Sequence, residues 1–176
     1  MATMPLSTHQ SLRREVLSRP LHWLPFGLGV GLLPLAPGTW GSLLAVLLFW
    51  LLPPLELALH LALAVVGFAL GVWLCGLSAR RLGVHDHPGI VLDEVVAMWA
   101  TLAAVPRTAL WSGLAFLAFR VMDIWKPWPI READHRIPGG LGIMLDDALA
   151  AAFAAAVVSD RKRTRLNSSH LGISYA

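Results

Sequence analysis

Residues 57–79 read LALHLALAVVGFALGVWLCGLSA, twenty-three residues without a formal charge between Glu56 and Arg80. The charge-poor region is longer still, because Glu56 is the only formally charged residue from Gly27 to Ala79. A helix of about 20 apolar residues, rising 1.5 Å per residue, crosses the roughly 30 Å hydrocarbon core of a bilayer. Residues 57–79 therefore predict a transmembrane helix.

Composition extends this interpretation to the rest of the chain. Of the 176 residues, 56% are hydrophobic and 14% charged, whereas about 25% are charged in an ordinary soluble domain. The net charge of +3 equals that of residues 160–176 alone, where four basic residues oppose Asp160. The body of the chain is neutral and has no basic stripe of the kind that binds nucleic acid. The sequence predicts a membrane protein without a nucleic-acid partner.

Proline, glycine and charge delimit five apolar helices in the sequence. The first of them is short for a span, so the preceding segment GLGVGLLPLAPGTWG is expected to enter the membrane as irregular, re-entrant backbone. The predicted fold class is all-α, a polytopic membrane bundle of about four to five short transmembrane helices. The predicted helices cover about residues 42–52, 57–78, 90–105, 108–125 and 141–158.

The chain divides into three predicted parts. Residues 1–25 form a cytoplasmic leader, residues 26–159 form the membrane-embedded domain, and residues 160–176 are a polar tail of non-native or disordered sequence. With the leader inside and the polar tail excluded, five spans place nine basic residues on the cytoplasmic side and only Arg107 outside, which predicts the orientation. The nine are Arg13, Arg14, Arg19, Arg80, Arg81, Arg120, Lys126, Arg131 and Arg136.

Acidic residues cluster at the cytoplasmic ends of three predicted helices. Carboxylates near or within a membrane need a partner, water or a function. Three helices that present acids at one depth predict a cation site, and oxygen ligands suit Mg²⁺. The predicted metal ligands are Asp86 in a loop and, on the helices, Asp93, Glu94, Asp123, Asp146 and Asp147.

Basic and small polar residues extend the predicted site toward phosphate. Arg120 and Lys126 each lie one turn from Asp123, so they could balance the charge of a metal-bound phosphate. In PGTWGS, the glycines Gly38 and Gly41 free the backbone before a helix. The amides of that helix, with the hydroxyls of Thr39 and Ser42, could hold phosphate oxygens.

Structural interpretations of the same residues stay open. Asp146 and Asp147 could only favour the helix dipole, and Arg120, Asp123 and Lys126 could form a salt-bridge ladder. Thr39 and Ser42 could be helix caps. The histidines of the polar loop, His85 and His87, are more simply solvated or outer-sphere groups than metal ligands.

Four motifs give the chain a specific family resemblance. LAPGTWGS, GVHDHPGIVLDE, FRVMDIWKPWPI and GGLGIMLDD, in this order and spacing, resemble the phosphatidylglycerophosphatase A family of bacterial inner-membrane lipid phosphatases. The resemblance covers about Trp23 to Val158. It implies Mg²⁺-dependent hydrolysis of phosphatidylglycerophosphate to phosphatidylglycerol and phosphate. It also implies a multi-pass protein in the bacterial inner membrane, with its active site on the cytoplasmic side.

The resemblance assigns catalytic roles by position, and two other function classes stay open. A small cation carrier or channel could use the same intramembrane carboxylates, and a lipid phosphotransferase could use the same Mg²⁺ layer. The sequence does not distinguish a carboxylate nucleophile from an activated water. The catalytic candidates are Asp93, Glu94, Asp123, Lys126 and Asp146.

Overall fold

The computed structural model describes residues 9–84, 87–128, 130–132 and 137–173, and every regular element within these ranges is helical. The predicted all-α fold is confirmed for this part of the chain. Two short 3₁₀ segments, Pro20–His22 and Gly27–Leu32, follow the first helix. The α-helices are α1 (His9–Ser18), α2 (Pro37–Leu51), α3 (Leu57–Leu82), α4 (Leu92–Ala103), α5 (Ala109–Trp125) and α6 (Gly140–Ile173).

The largest differences from the predicted helix ends occur in α2 and α6. α2 begins at Pro37 rather than near residue 42, because Ala36 adopts a left-handed conformation (φ 48°) and Pro37 suits the first helical position. The PGTWGS motif is therefore the start of the helix and not a loop before it. α6 continues to Ile173 instead of ending near residue 158. The ends of α4 and α5 agree with the prediction to within two residues.

Two helices are long and apolar enough to cross a membrane, namely α3 and the Gly140–Asp160 part of α6. α2, α4 and α5 have 15, 12 and 17 residues, fewer than the roughly 20 that a span needs. Helix length therefore does not confirm the predicted four to five spans. Much of α3 faces outward with large apolar side chains; Val65, for example, is 69% exposed. An apolar surface of this kind is consistent with association with a membrane.

α4 lies at the centre of the bundle, in contact with α2, α3, α5 and α6. Met98, Leu102 and Phe119 are buried where these helices meet, and Ala150 and Ala154 let α6 approach closely. Successive helices run in alternating directions. As a result, the first turns of α2, α4 and α6 and the last turn of α5 meet at one end of the bundle.

The N-terminal segment packs on the same end of the bundle. Val16 and Phe26 are buried with residues of α3 and α6, and the Pro25 carbonyl accepts a hydrogen bond from the Val91 amide (2.8 Å). The 3₁₀ segment that follows is interrupted by left-handed residues, among them Leu28 (φ 57°). Irregular backbone before α2 is thus confirmed, while its entry into a membrane stays a prediction.

Candidate active site

Three carboxylates from two helices converge where the helix ends meet. Asp93 and Glu94 lie in the first turn of α4, and Asp147 lies in the second turn of α6. One ligand oxygen from each lies within 4.8 Å of the other two. Asp93 and Asp147 are buried, with 8% and 3% of their surface exposed. We call these three residues the carboxylate cluster.

The carboxylate cluster has the donor set of a cation site. Glu94 Oε2 and Asp147 Oδ2 are buried without a hydrogen-bond partner in the described part of the chain. Burying unpaired carboxylate oxygens is costly, and a cation or protons would remove that cost. Oxygen-only ligands suit Mg²⁺. The residues present therefore fit a magnesium ion, and the amino end of α4 adds a partial positive charge beside two of them.

Arg120 connects a fourth carboxylate to α2. Its Nη1 lies 2.7 Å from Asp123 Oδ2, one turn further along α5, and the Asp123 carboxylate lies near enough to Asp147 for the two charges to interact. The same Nη1 is 3.5 Å from Ser42 Oγ. Arg120 Nε is buried with no partner among the described residues. The guanidinium group is thus fixed at the edge of the carboxylate cluster with donor capacity to spare.

Lys126 forms a second ion pair at the same end of the bundle. Its Nζ donates to Asp146 Oδ2 at 2.6 Å. Lys126 ends α5 in a left-handed conformation (φ 42°). Asp146 and Asp147 are adjacent on α6 and so point in different directions, Asp146 toward Lys126 and Asp147 toward the carboxylate cluster. The sequence predicted both acids as ligands of one metal site, whereas in the structure Asp146 pairs with Lys126 and Asp147 belongs to the carboxylate cluster.

The glycines of α2 provide room for the site. A Cβ on Gly38 would overlap Glu94 Oε1 and lie 3.3 Å from Arg120 Nη1. At Gly41 it would lie 2.9 Å from Val91 Cβ, at the start of α4. Gly38 therefore lets the α2 backbone approach two charged side chains, and Gly41 sets the distance between α2 and α4.

Hydrogen bonding in α2 differs from the predicted phosphate-binding amides. The amides of Thr39 and Trp40 both donate to the Ala36 carbonyl, at 3.0 and 3.3 Å. Pro37 has no amide hydrogen, and the fully buried Ser42 hydroxyl donates to the Gly38 carbonyl at 3.0 Å. Because the Ser42 hydroxyl donates its hydrogen to Gly38, its oxygen can accept a hydrogen bond from Arg120 Nη1.

Comparison with known proteins identifies the family. The phosphatidylglycerophosphatase A family model matches residues 23–159. The chain is 41% identical over 159 residues to phosphatidylglycerophosphatase A of Escherichia coli K12, covering 90% of this chain and 92% of the relative. The chain belongs to the phosphatidylglycerophosphatase A family. The predicted family is confirmed, and membership of it makes the chain a phosphatase.

Two further relatives show how widely the similarity extends. Phosphatidylglycerophosphatase A of Haemophilus influenzae is 43% identical over 155 residues, covering 87% of this chain and 95% of the relative. A Bacteroides thetaiotaomicron protein, provisionally named a phosphatidylinositol-3-phosphatase, is 37% identical over 141 residues, covering 76% of this chain and 87% of the relative. No solved structure matches the chain.

Asp86, the last of the predicted metal ligands, lies outside the described residues. His85 lies outside them as well. His87 is described, and its Nδ1 accepts a hydrogen bond from the Gly89 amide (2.9 Å) while its ring packs on Phe26. These contacts fix the loop that leads into α4.

The opposite end of the bundle is aromatic. His60 stacks on the buried Trp99 with ring centroids 4.5 Å apart, and each side chain hydrogen bonds to the other's carbonyl, at 2.9 and 3.2 Å. Arg107 donates to the Trp50 and Leu52 carbonyls at the C-terminal end of α2. Between the two ends the core is dominated by residues such as Met98 and Phe119. An apolar core gives no support to the alternative of a cation carrier.

Proposed function

We propose that the chain hydrolyses the terminal phosphomonoester of phosphatidylglycerophosphate, releasing phosphatidylglycerol and inorganic phosphate, with Mg²⁺ as cofactor. The observation that carries this proposal is the convergence of Asp93, Glu94 and Asp147 within reach of one cation, beside the positively charged Arg120 and Lys126. The names of the Escherichia coli and Haemophilus influenzae relatives supply the substrate.

Asp93, Glu94 and Asp147 would hold the magnesium ion. When bound, the ion would neutralise charge on the phosphate oxygens and lower the pKa of a bound water. Arg120 and Lys126 would face the phosphate from the other side of the site and offset its remaining charge. Asp123 and Asp146 orient these two cations through the ion pairs described above.

The reaction breaks the bond between phosphorus and the oxygen of the terminal glycerol. The phosphoryl group passes to water, directly or through a carboxylate, and the leaving alkoxide takes a proton. Charge on the phosphoryl oxygens governs the barrier, so fixed cations and a preorganised site supply most of the catalysis. The candidates for proton transfer or attack are the carboxylates already predicted, namely Asp93, Glu94, Asp123 and Asp146.

The proposal places the chain in the bacterial inner membrane as a multi-pass protein with its site on the cytoplasmic side. With the polar tail excluded, the count of nine basic residues inside against Arg107 outside supports this orientation. A single cysteine introduced at Trp128, which is 80% exposed next to the site, should react with an impermeant thiol reagent in inverted membrane vesicles. Buried Cys75 should not react. Labelling of the Trp128 position from intact cells only would overturn the orientation.

A phosphate-release assay on the purified full chain in detergent tests the function. We expect release from phosphatidylglycerophosphate that requires Mg²⁺ and stops with a chelator, with phosphatidylglycerol identified by mass spectrometry. Phosphatidylinositol 3-phosphate is the comparison substrate, because one relative is named as a phosphatidylinositol-3-phosphatase. Faster release from phosphatidylinositol 3-phosphate would overturn the substrate assignment.

The same preparation tests the other function classes. A phosphotransferase would consume a nucleotide-linked donor and release nucleotide instead of phosphate. A cation carrier would move Mg²⁺ into liposomes without any phosphate release. Release that continues after the chelator removes all divalent cations would overturn the metal assignment alone.

A further inference from the structure

An apolar groove of about 370 Å³ runs along the side of the bundle between α3, α4 and α6. We call it the lateral groove. Alanines make up more than half of its lining, and their small side chains leave open the space between helices that larger residues would fill. The groove is lined on α3 by Leu61, Ala64, Val65 and Phe68, on α4 by Asp93, Val96, Ala97 and Ala100, and on α6 by Met144, Ala148, Ala151, Ala152 and Ala155.

One end of the lateral groove reaches the candidate active site. Asp93 lines the groove and also belongs to the carboxylate cluster. At this end α3 packs tightly on α6, because a Cβ on Gly71 would overlap the Met144 sulfur atom. From there the groove extends away from the carboxylates toward Leu61 and Ala155. The groove is therefore apolar along its length and has a carboxylate at the end that reaches the candidate active site.

The length of the groove corresponds to one leaflet of a bilayer. Along α6 it extends from Met144 to Ala155, which is about 16 Å at 1.5 Å per helical residue. Half of the roughly 30 Å hydrocarbon core is about 15 Å. The side of the groove formed by α3 is open to the surroundings, with Val65 69% and Leu61 45% exposed. A ligand can therefore enter sideways from the membrane.

We infer that the lateral groove binds an acyl chain of the phospholipid substrate, with the substrate phosphate at the carboxylate cluster. This inference rests on the proposed function, because it takes the occupant to be the lipid that the site hydrolyses. Apolar lining, sideways opening and the shared Asp93 together favour a chain attached to a phosphate. A helix from a second copy of the protein would match the alanine lining but would give no reason for the groove to end at Asp93.

A second groove provides a matched control. It lies between α5 and α6, has a volume of about 330 Å³, and is lined by apolar residues including Leu117, Ala118 and Val157. No residue of the carboxylate cluster lines it. Val157 is exposed in this groove, so a larger side chain there occupies the second groove without displacing buried core or approaching the site.

Filling the lateral groove tests the inference. Ala152 is exposed at the lateral groove, so Ala152→Phe places an aromatic ring in the groove without displacing buried core residues. We expect kcat/KM for diacyl phosphatidylglycerophosphate to fall about tenfold or more, since excluding about two methylenes from an apolar site has an effect of that size. Hydrolysis of the deacylated analogue, glycerophosphoglycerophosphate, should be unchanged. Val157→Phe, the control in the second groove, should leave both rates unchanged.

A binding measurement separates this inference from the proposed function. Phosphatidylglycerol with a photoreactive group on one acyl chain should label peptides of α3 and α6 in the full-length protein. Ala152→Phe should abolish this labelling, and Val157→Phe should keep it. If the wild type labels there but hydrolyses no lipid phosphate, the proposed function fails and the groove assignment stands. Equal diacyl rates and equal labelling in both variants would overturn the groove assignment. A dimer in detergent that Ala152→Phe converts to monomer, without acyl labelling, would also overturn it.

Discussion

Gly38 and Glu94 lie so close together that a single methyl group on the glycine would overlap the Glu94 carboxylate. The contact joins the first turn of α2 to the first turn of α4, and Arg120 lies on its other side, with Nη1 3.3 Å from the position of that methyl group. The absence of a side chain at residue 38 therefore sets the position of a carboxylate of the cluster.

Gly38→Ala should lower turnover strongly with a small effect on folding. The methyl group would displace Glu94 or Arg120, and a shift of about 1 Å in an active site can lower the rate by roughly 10²-fold. Turnover and the Mg²⁺ concentration for half-maximal activity are the measurements. Gly113→Ala in α5 is the control, because a Cβ there meets nothing within 4 Å. Equal activity of the two variants would contradict the role given to Gly38.

Asp93→Asn and Asp147→Asn should inactivate the enzyme while leaving it folded. Each change keeps the shape of the side chain and removes charge that the cation site needs, at a cost of about 2 to 4 kcal/mol in the transition state, or roughly 10² to 10³ in rate. Relief of repulsion between buried carboxylates should keep thermal stability near or above that of the wild type. Glu132→Gln, at an exposed position, is the control. Near-normal turnover in folded Asp147→Asn protein would contradict the metal assignment.

The convergence of the acids could be predicted because it depends on helix ends alone. Asp93 lies near the start of one helix, Asp123 near the end of the next, and Asp147 near the start of another. Alternating helix directions therefore bring the three acids to one end of the bundle. The rotation of each helix about its axis depends on tertiary packing. The sequence therefore could not tell that Asp147 joins the cluster while Asp146 pairs with Lys126.

Two other features could not be predicted for similar reasons. The start of α2 at Pro37 depends on the left-handed conformation of Ala36, an unusual backbone conformation for a residue other than glycine. Trp99 is buried against His60, whereas tryptophans near the ends of membrane helices commonly lie at the membrane surface. The local sequence around a tryptophan near a helix end is the same whether its side chain lies at the membrane surface or in the core, so the sequence alone does not distinguish the two locations.

Lys126→Gly and the double variant Lys126→Gly/Asp146→Asn should separate the catalytic and structural roles of this ion pair. The left-handed backbone at residue 126 tolerates glycine, so the single change acts mainly by leaving the Asp146 carboxylate without its cation, a cost of about 1 to 3 kcal/mol. The double variant should recover thermal stability. Turnover should stay low in both, because the phosphate loses a positive charge. Recovery of turnover together with stability would show that the pair is structural only.

Removal of residues 161–176 should leave Mg²⁺-dependent activity intact. The family match ends at residue 159, and the carboxylate cluster lies at the other end of the membrane-length part of α6. Phosphate release by the truncated chain, compared per mole of folded protein with the full chain, is the measurement. Loss of activity in a folded, membrane-inserted product would show that the tail contributes to the site or to its support.

His22 should make stability depend on pH near the usual histidine range. Its Nδ1 lies 2.6 Å from Ser78 Oγ, and Nε2 is buried without a partner in the described ranges. Burial lowers the pKa of His22 below 6.5, Glu15 opposes the shift, and Arg19 and Arg81 add to it.

Because the folded pKa of His22 is the lower one, the unfolded chain takes up the proton first as pH falls. The free energy of unfolding should therefore be unaffected by His22 above about pH 7 and should decrease as pH falls through about 6.5. His22→Gln keeps a side chain that can hydrogen bond to Ser78 but does not titrate, and every other ionisable group is common to both proteins. Thermal unfolding in detergent between pH 7.5 and 5.5 should show a steeper loss of stability in the wild type than in His22→Gln. Parallel curves would mean that His22 binds protons equally in the folded and unfolded chains.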